Sequence, residues 1–324
     1  MTAFMIRRLL QSAAVVFVMS VIVFFGVNVV GDPVDMLINP EADQEDIENA
    51  IKALGLDRPI GEQYLHFAKN ALTGNLGKSF IFGEPALMLI LQRMPATMEL
   101  AFAALMMAIF LGIPLGLYAG LKPESPVSRT VMASSILGFS LPTFWVGLMM
   151  IMVFAVILGW LPSTGRGETA TFLGITSSLF TLNGLSHILM PALNLALLKI
   201  SLVIRITRAG TREAIHQDYI KFARAKGLSQ RRVIFVHLLK NILIPVVTVL
   251  GLEFGNLVAF SVVTETIFAW PGMGKLLIDS IQQLDRPVIV AYLIIIVLLF
   301  VLLNLIVDIL YSILDPRVRL GEKR

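Results

Sequence analysis

The chain has 324 residues, of which 56% are hydrophobic and only 15% charged, with a mean hydropathy of +0.82. A water-soluble domain carries about 25% charged residues, so a soluble body of this length lacks the polar surface to cover it. The sequence holds no cysteine, which excludes a disulfide framework and a thiolate metal site. Its net charge of +4 is spread over several short loops, a pattern that reports membrane orientation and not a nucleic-acid face.

A helix needs roughly 20 mainly apolar residues to cross the hydrocarbon core. Six stretches qualify: Leu9–Val30, Ala96–Gly120, Thr130–Leu158, Ile188–Ile206, Ile242–Glu265 and Val288–Ser312. The expected fold class is therefore all-α, a polytopic membrane protein of about six transmembrane helices. The first stretch follows Arg7 and Arg8, so it reads as a signal peptide or as a retained span. It is long for a signal segment, and Val29-Val30-Gly31 is a poor cleavage site; residues 1–30 are taken as an N-terminal transmembrane helix.

Residues 31–95 are too long for a bare loop. Asp43 to Leu54 has helical spacing, with Ile47, Ile51 and Leu54 on one face and Gly55 as a stop, and a second helix runs from Ile60 to Leu72 and ends at Gly74. Together they predict a small helical cap outside the membrane. Gly74-Asn75-Leu76-Gly77-Lys78-Ser79 is not a phosphate-binding loop, because the spacing would require a glycine where Leu72 stands. The chain thus has no ATP site of its own.

Residues 96–312 form the expected membrane core, followed by a tail over 313–324. The fourth stretch contains Pro191, Asn194 and Lys199, which are tolerated in a span only where protein or water satisfies them. Glu99, Lys199, Glu253 and Asp308 lie within or at the edges of spans. Charges there cost about 2.5 kcal/mol or more when they face lipid. Glu99 and Asp308 are expected near interfaces; Glu253 is the candidate for a translocation path. Thr264 to Gly274 reads as a tight turn at the mouth of that path, with Glu265 and Trp270 as candidates to touch solute, against simple turn packing. Gly272-Met273-Gly274 lacks the third glycine and the strand–helix context of a dinucleotide site. The histidines (His66, His187, His216, His237) have no metal-ligand spacing, so no metal and no cofactor is expected; His237 is expected to hydrogen-bond within its loop.

Six spans place both termini on one side. With the termini inside, Arg7, Arg8, Lys122, Arg129, the basic residues from Arg205 to Lys240, and Arg317, Arg319, Lys323 and Arg324 fall in the cytoplasm. They number about twice those left outside, as the positive-inside rule requires.

The segment Arg205–Lys240 is the most informative. Asp218 is a candidate N-cap, the residues through Lys226 are good helix formers, and Gly227 is a natural stop. Tyr219, Phe222, Ala223 and Ala225 give a short helix with a knob-like apolar face and basic flanks. Such a helix suits docking into a groove of a soluble partner; an ordinary basic loop that only fixes topology is the competing reading.

DYIKFARAKGLS (218–229), followed by His237, Asn241 and Pro245 in VHLLKNILIPVVTVLG, resembles the coupling loop of binding-protein-dependent ABC importer permeases, above all the first permease subunit of dipeptide and oligopeptide importers. The likeness runs along nearly the whole chain: Gly31-Asp32-Pro33, LGLDRPIGEQYLHF, GNLGKSF, PATMELA, GIPLGLYAG, SLPTFWVG, TETIFAWPGMGKL and DILYSILDPRVR occur in order. It departs from the wider family in carrying Lys221 and Phe222 at positions where Glu and Ala are usual. The resemblance implies a type I importer permease fold in a bacterial inner membrane, forming half of a path for di- or oligopeptides, glutathione or nickel chelates. It further implies a homologous second permease, two ATP-binding subunits that bind ATP and Mg, and a periplasmic or lipid-anchored solute-binding protein. Asp218, Tyr219, Ala223, Arg224, Ala225, Lys226 and Gly227, within a coupling loop at 207–240, would meet the ATP-binding subunit. Two rivals stand beside this reading. An autonomous ion-coupled transporter would show matching halves with broken helices, and a membrane enzyme would need a catalytic constellation that the sequence lacks.

Overall fold

The computed structural model of the chain describes residues 2–29 and 57–314. The expected helix over Asp43–Leu54, the Gly31-Asp32-Pro33 motif, the side chain of Asp308 and the basic tail lie outside the described residues. The elements in order are α1 (Thr2–Val29), α2 (Ile60–Leu72), α3 (Ala86–Leu121) and α4 (Pro126–Ser140), then α5 (Thr143–Ile157). A two-stranded sheet of β1 (Ala170–Phe172) and β2 (Ile175–Ser177) precedes α6 (Leu182–Ala214) and α7 (Asp218–Ala225). There follow α8 (Gln230–Ile267), α9 (Met273–Gln282) and α10 (Arg286–Leu314). Five of these helices are long and apolar enough to cross a membrane, and α4 with α5 makes a sixth apolar stretch of that length, broken by a sharp bend.

That bend revises the third predicted span. Pro142 disfavours helical backbone at the residue before it, and Leu141 is extended at φ −84° and ψ 136°. The two halves consequently diverge by 108°, and the second half of α5, Ile151–Ile157, is wound as a π-helix. Two other boundaries also move. The second span begins at Ala86, ten residues before Ala96, because ALMLILQRM is itself unbroken helix-forming sequence. The region read as a turn from Thr264 is helical through Ile267, since VVTETI carries no breaker. The helix over Ile60–Leu72 forms with the expected bounds, and Gly74 takes the left-handed backbone, φ 79°, that ends it.

The chain divides into two compact units, Met1–Pro95 with Gly272–Leu302, and Ala96–Pro271 with Leu303–Arg324. In the first, Phe24 of α1 meets Tyr64 and Phe67 of α2 with ring centroids 5.5 Å apart, and Ser20 bonds the Tyr64 hydroxyl at 2.9 Å. The loop after α2 is pinned where Asp285, itself buried, accepts from the Ser79 hydroxyl and from the Phe80 amide at 3.2 Å. Ser79 is thus spent on a packing contact.

In the second unit α3 and α6 cross at a staircase of glycines. A Cβ added at Gly116 would stand 2.7 Å from the Ile204 carbonyl oxygen, and one at Gly112 2.7 Å from the Val203 side chain. Small residues at a spacing of four let helix backbones approach closely. At the head of α6, Thr181 Oγ1 accepts the Gly184 amide at 2.9 Å, the N-cap that starts the helix. The loop from α5 to α6 closes on a buried carboxylate. Glu99 accepts from Arg166, from the Ser178 hydroxyl, and from the Ser178 amide at 3.1 Å. Glu99 was expected near a membrane interface, where pairing or snorkelling would suffice; it is paired, with Arg166, and buried.

Candidate functional site

The segment between α6 and α8 folds as a short helix seated on the second unit. Gln217 is its extended N-cap residue, one place before the cap expected at Asp218, and Asp218 is the first helical residue. An acid in the first turn and Arg224 in the last both complement the helix dipole. Lys221 Nζ bonds Asp218 Oδ1 at 2.9 Å. That hydrogen bond, with the charge of Lys221, holds the Asp218 carboxyl below the ordinary carboxylate range.

The C-terminus is closed by a Schellman motif. Gly227 adopts φ 73°, its amide bonds the Arg224 carbonyl at 2.9 Å, and the Leu228 amide bonds the Ala223 carbonyl at 3.3 Å. Glycine is suited to this position because a side chain strains left-handed backbone.

Two residues seat α7. Ile220 (0% exposed) and Ala223 (4%) are buried in a cluster with Leu117, Val233, Leu238 and Ile242. Ala223 therefore faces the chain's own interior and is not offered to a partner. Ile220 was missed in the sequence; its spacing of three from Ala223 is the signal that marks the inner stripe. The other residues expected here, Asp218, Tyr219, Arg224, Ala225, Lys226 and Gly227, are exposed. Phe222 is 62% exposed, with Lys226 Nζ 4.5 Å above its ring. The helix thus presents two aromatic rings among charges. Within the first turns of α8, Val233–Leu238 is π-helical. The His237 carbonyl accepts from Asn241 at 3.0 Å, whereas its ring, expected to bond within the loop, has no hydrogen-bond partner among the described residues.

The two path candidates differ. Glu265 is wholly buried and accepts from Thr97 at 2.7 Å and from Ser261 at 2.8 Å. Trp270 is likewise buried, its indole donating to the Ala96 carbonyl at 2.8 Å. Both hold α3, α8 and the turn after α8 together. Glu253 pairs with Lys199 across α6 and α8, and both side chains remain partly exposed. The geometry does not bring Glu253 and Glu265 into one site.

Comparison with known proteins places this architecture. Residues 112–320 match the family described as binding-protein-dependent transport system inner membrane component, and residues 1–101 match the N-terminal component of such systems. The chain is 39% identical to the di/tripeptide transport system permease protein DppB of Pseudomonas aeruginosa, with 98% of this chain and 99% of the relative covered. It is 38% identical to the oligopeptide transport system permease protein AppB of Bacillus subtilis and 37% identical to the glutathione transport system permease protein GsiC of Escherichia coli, with the same coverage in each case. Its fold is similar to a chain of the MetNI methionine ABC transporter in an inward-facing conformation, with a TM-score of 0.55 and 20% identity over 72% of this chain and 99% of that one. Matched along nearly its whole length, the chain belongs to the inner-membrane permease components of binding-protein-dependent ABC transport systems.

Proposed function

We propose that this permease forms half of the translocation path of an importer for di- or oligopeptides or related small solutes such as glutathione. It would lie in the bacterial inner membrane with both termini in the cytoplasm, beside a homologous second permease. Two ATP-binding subunits beneath it bind ATP and Mg and perform the hydrolysis, and a periplasmic or lipid-anchored binding protein delivers the solute. The observation that carries the reading is α7, a helix capped at its C-terminus and fixed by Ile220 and Ala223, with Tyr219 and Phe222 left exposed. Aromatic residues projecting from a rigid element are the usual anchors of a protein interface, and a short capped helix loses little entropy on docking. Closure of the ATP-binding subunits would draw α7 with it and bias the permease pair between inward- and outward-open states. The peptide reading is supported by the relatives, whose substrates share a free amine and a free carboxylate.

Phe222→Glu places a charge on the docking face while leaving the Ile220 seat intact. The variant is expected to insert normally but to lose at least about tenfold of its affinity for the ATP-binding subunits and of coupled uptake in proteoliposomes. Sidedness is read from Ala225→Cys, since the chain has no native cysteine. An impermeant maleimide should label it in inside-out vesicles only. Full coupling by Phe222→Glu, or labelling from the other face, would sink the assignment.

A further inference from the structure

The pair formed by Lys199 and Glu253 is set apart from the other charges in the spans. Both residues lie well inside their helices: Lys199 is roughly 26 Å along α6 from Leu182, and Glu253 roughly 21 Å along α8 from Ile267, at 1.5 Å per residue. Neither is enclosed, with side-chain exposures of 18% and 21%. Asn256 joins them, its amide donating to the same Glu253 oxygen, Oε2, at 3.3 Å. Their bonding capacity is not exhausted. Among the described residues nothing donates to Glu253 Oε1, and the Lys199 ammonium uses one of its three N–H donors. The face of α8 beside them is open: Leu252 and Phe260, four residues to either side of Asn256, are 46% and 72% exposed.

A charge at this depth that faced hydrocarbon would cost about 2.5–3.5 kcal/mol, so the open side of the pair must meet water or polar groups. Solutes are held near the midplane in alternating-access carriers. A cation and an anion with spare bonding positions, side by side, fit a solute that carries both charges.

We infer that Lys199, Glu253 and Asn256 form a polar station in the translocation path for zwitterionic solutes. The solute's carboxylate is taken by Lys199, and its amine by Glu253 with the Asn256 side-chain oxygen. In the empty station the two side chains neutralise each other; the solute exchanges one ion pair for two. This rests on the peptide-importer reading above and names the residues that handle the peptide's ends.

The test uses the assembled transporter. Lys199→Met with Glu253→Met removes both charges together, because either change alone strands the other charge for structural reasons. A pair that merely packs α6 on α8 would tolerate the double change. The station predicts that the complex still co-purifies with its ATP-binding subunits while uptake of alanylalanine falls by about tenfold or more. Uptake within twofold of the parent overturns the proposal. Asn256→Cys supplies a measurement that does not depend on the double variant. It should react with a water-soluble thiol reagent in the assembled complex. Alanylalanine at millimolar concentration should protect it, and the same dipeptide acetylated and amidated should not. Failure to react, or equal effects of the two dipeptides, overturns the station. A parent transporter that carries neither peptides nor glutathione overturns the importer reading itself, and the station with it.

Discussion

The two ends of α6 are finished in opposite ways. At its head the chain closes on itself: Thr181 caps the helix, Glu99 gathers Arg166 and Ser178, and Gly184 is packed too tightly against Ser178 to bear a side chain. At its foot α7 is held by the narrow stripe of Ile220 and Ala223, and its rings and charges are exposed. Polar groups at the head are gathered in the chain's interior, whereas those at the foot stay at its surface. The difference separates residues consumed in holding the chain together from residues left at its surface.

That contrast can be broken by mutation. Glu99→Ala should have the largest effect, because it leaves Arg166, only 19% exposed, without its counter-charge. A loss of about 3–5 kcal/mol is expected on removing one member of such a pair, seen as a large fall in the thermal midpoint in nanodiscs. Glu99→Ala together with Arg166→Met should recover most of it. Ile220→Ala should cost about 2–4 kcal/mol of local stability, read as faster hydrogen exchange across 218–228 with little change at residues 165–185. Equal exchange in both regions would mean that α7 is not separately seated. Gly227→Ala should loosen the same segment by about 1 kcal/mol, because alanine strains the left-handed backbone.

The smallest effect concerns Asp218. Its carboxyl titrates below the ordinary range because Lys221 bonds it, so the stabilisation is present at neutral pH. It fades only as pH falls through that lowered value. Lys221→Ala should raise the titration midpoint of Asp218 toward the normal carboxylate range, observable by NMR on an isotope-labelled protein. An unchanged midpoint would show that the contact is not populated.

How much of this was legible depended on whether the signal was local. The helix over Ile60–Leu72 and the stop at Gly227 were readable because capping and left-handed glycine act within a few residues. The apolar stretches gave the membrane class and, with the ordered motifs, the family. The Leu141–Pro142 elbow was masked by a continuous apolar run whose hydropathy outweighed one proline. The strand pair at 170–177 escaped because three-residue strands carry almost no periodic signal. Glu99 and Arg166 are 67 residues apart, and nothing in their neighbourhoods announces that they meet; for Glu265 the simple packing weighed against solute contact agrees with its burial. At α7 the sequence revealed that a helix existed but not its orientation, so Ala223 was assigned outward and Ile220 overlooked.

The glycine staircase has a mechanical consequence. Where Gly116 lies against the Ile204 carbonyl oxygen and Gly120 against the Thr211 side chain, the helices touch with no side chain of α3 between them. So close a contact leaves no room for a side chain at these steps, and the two helices pack as a single strut. A bulkier residue at any of these steps would wedge the strut open unless Val203, Thr207 or Thr211 shrank to match, so change here should come in compensating pairs.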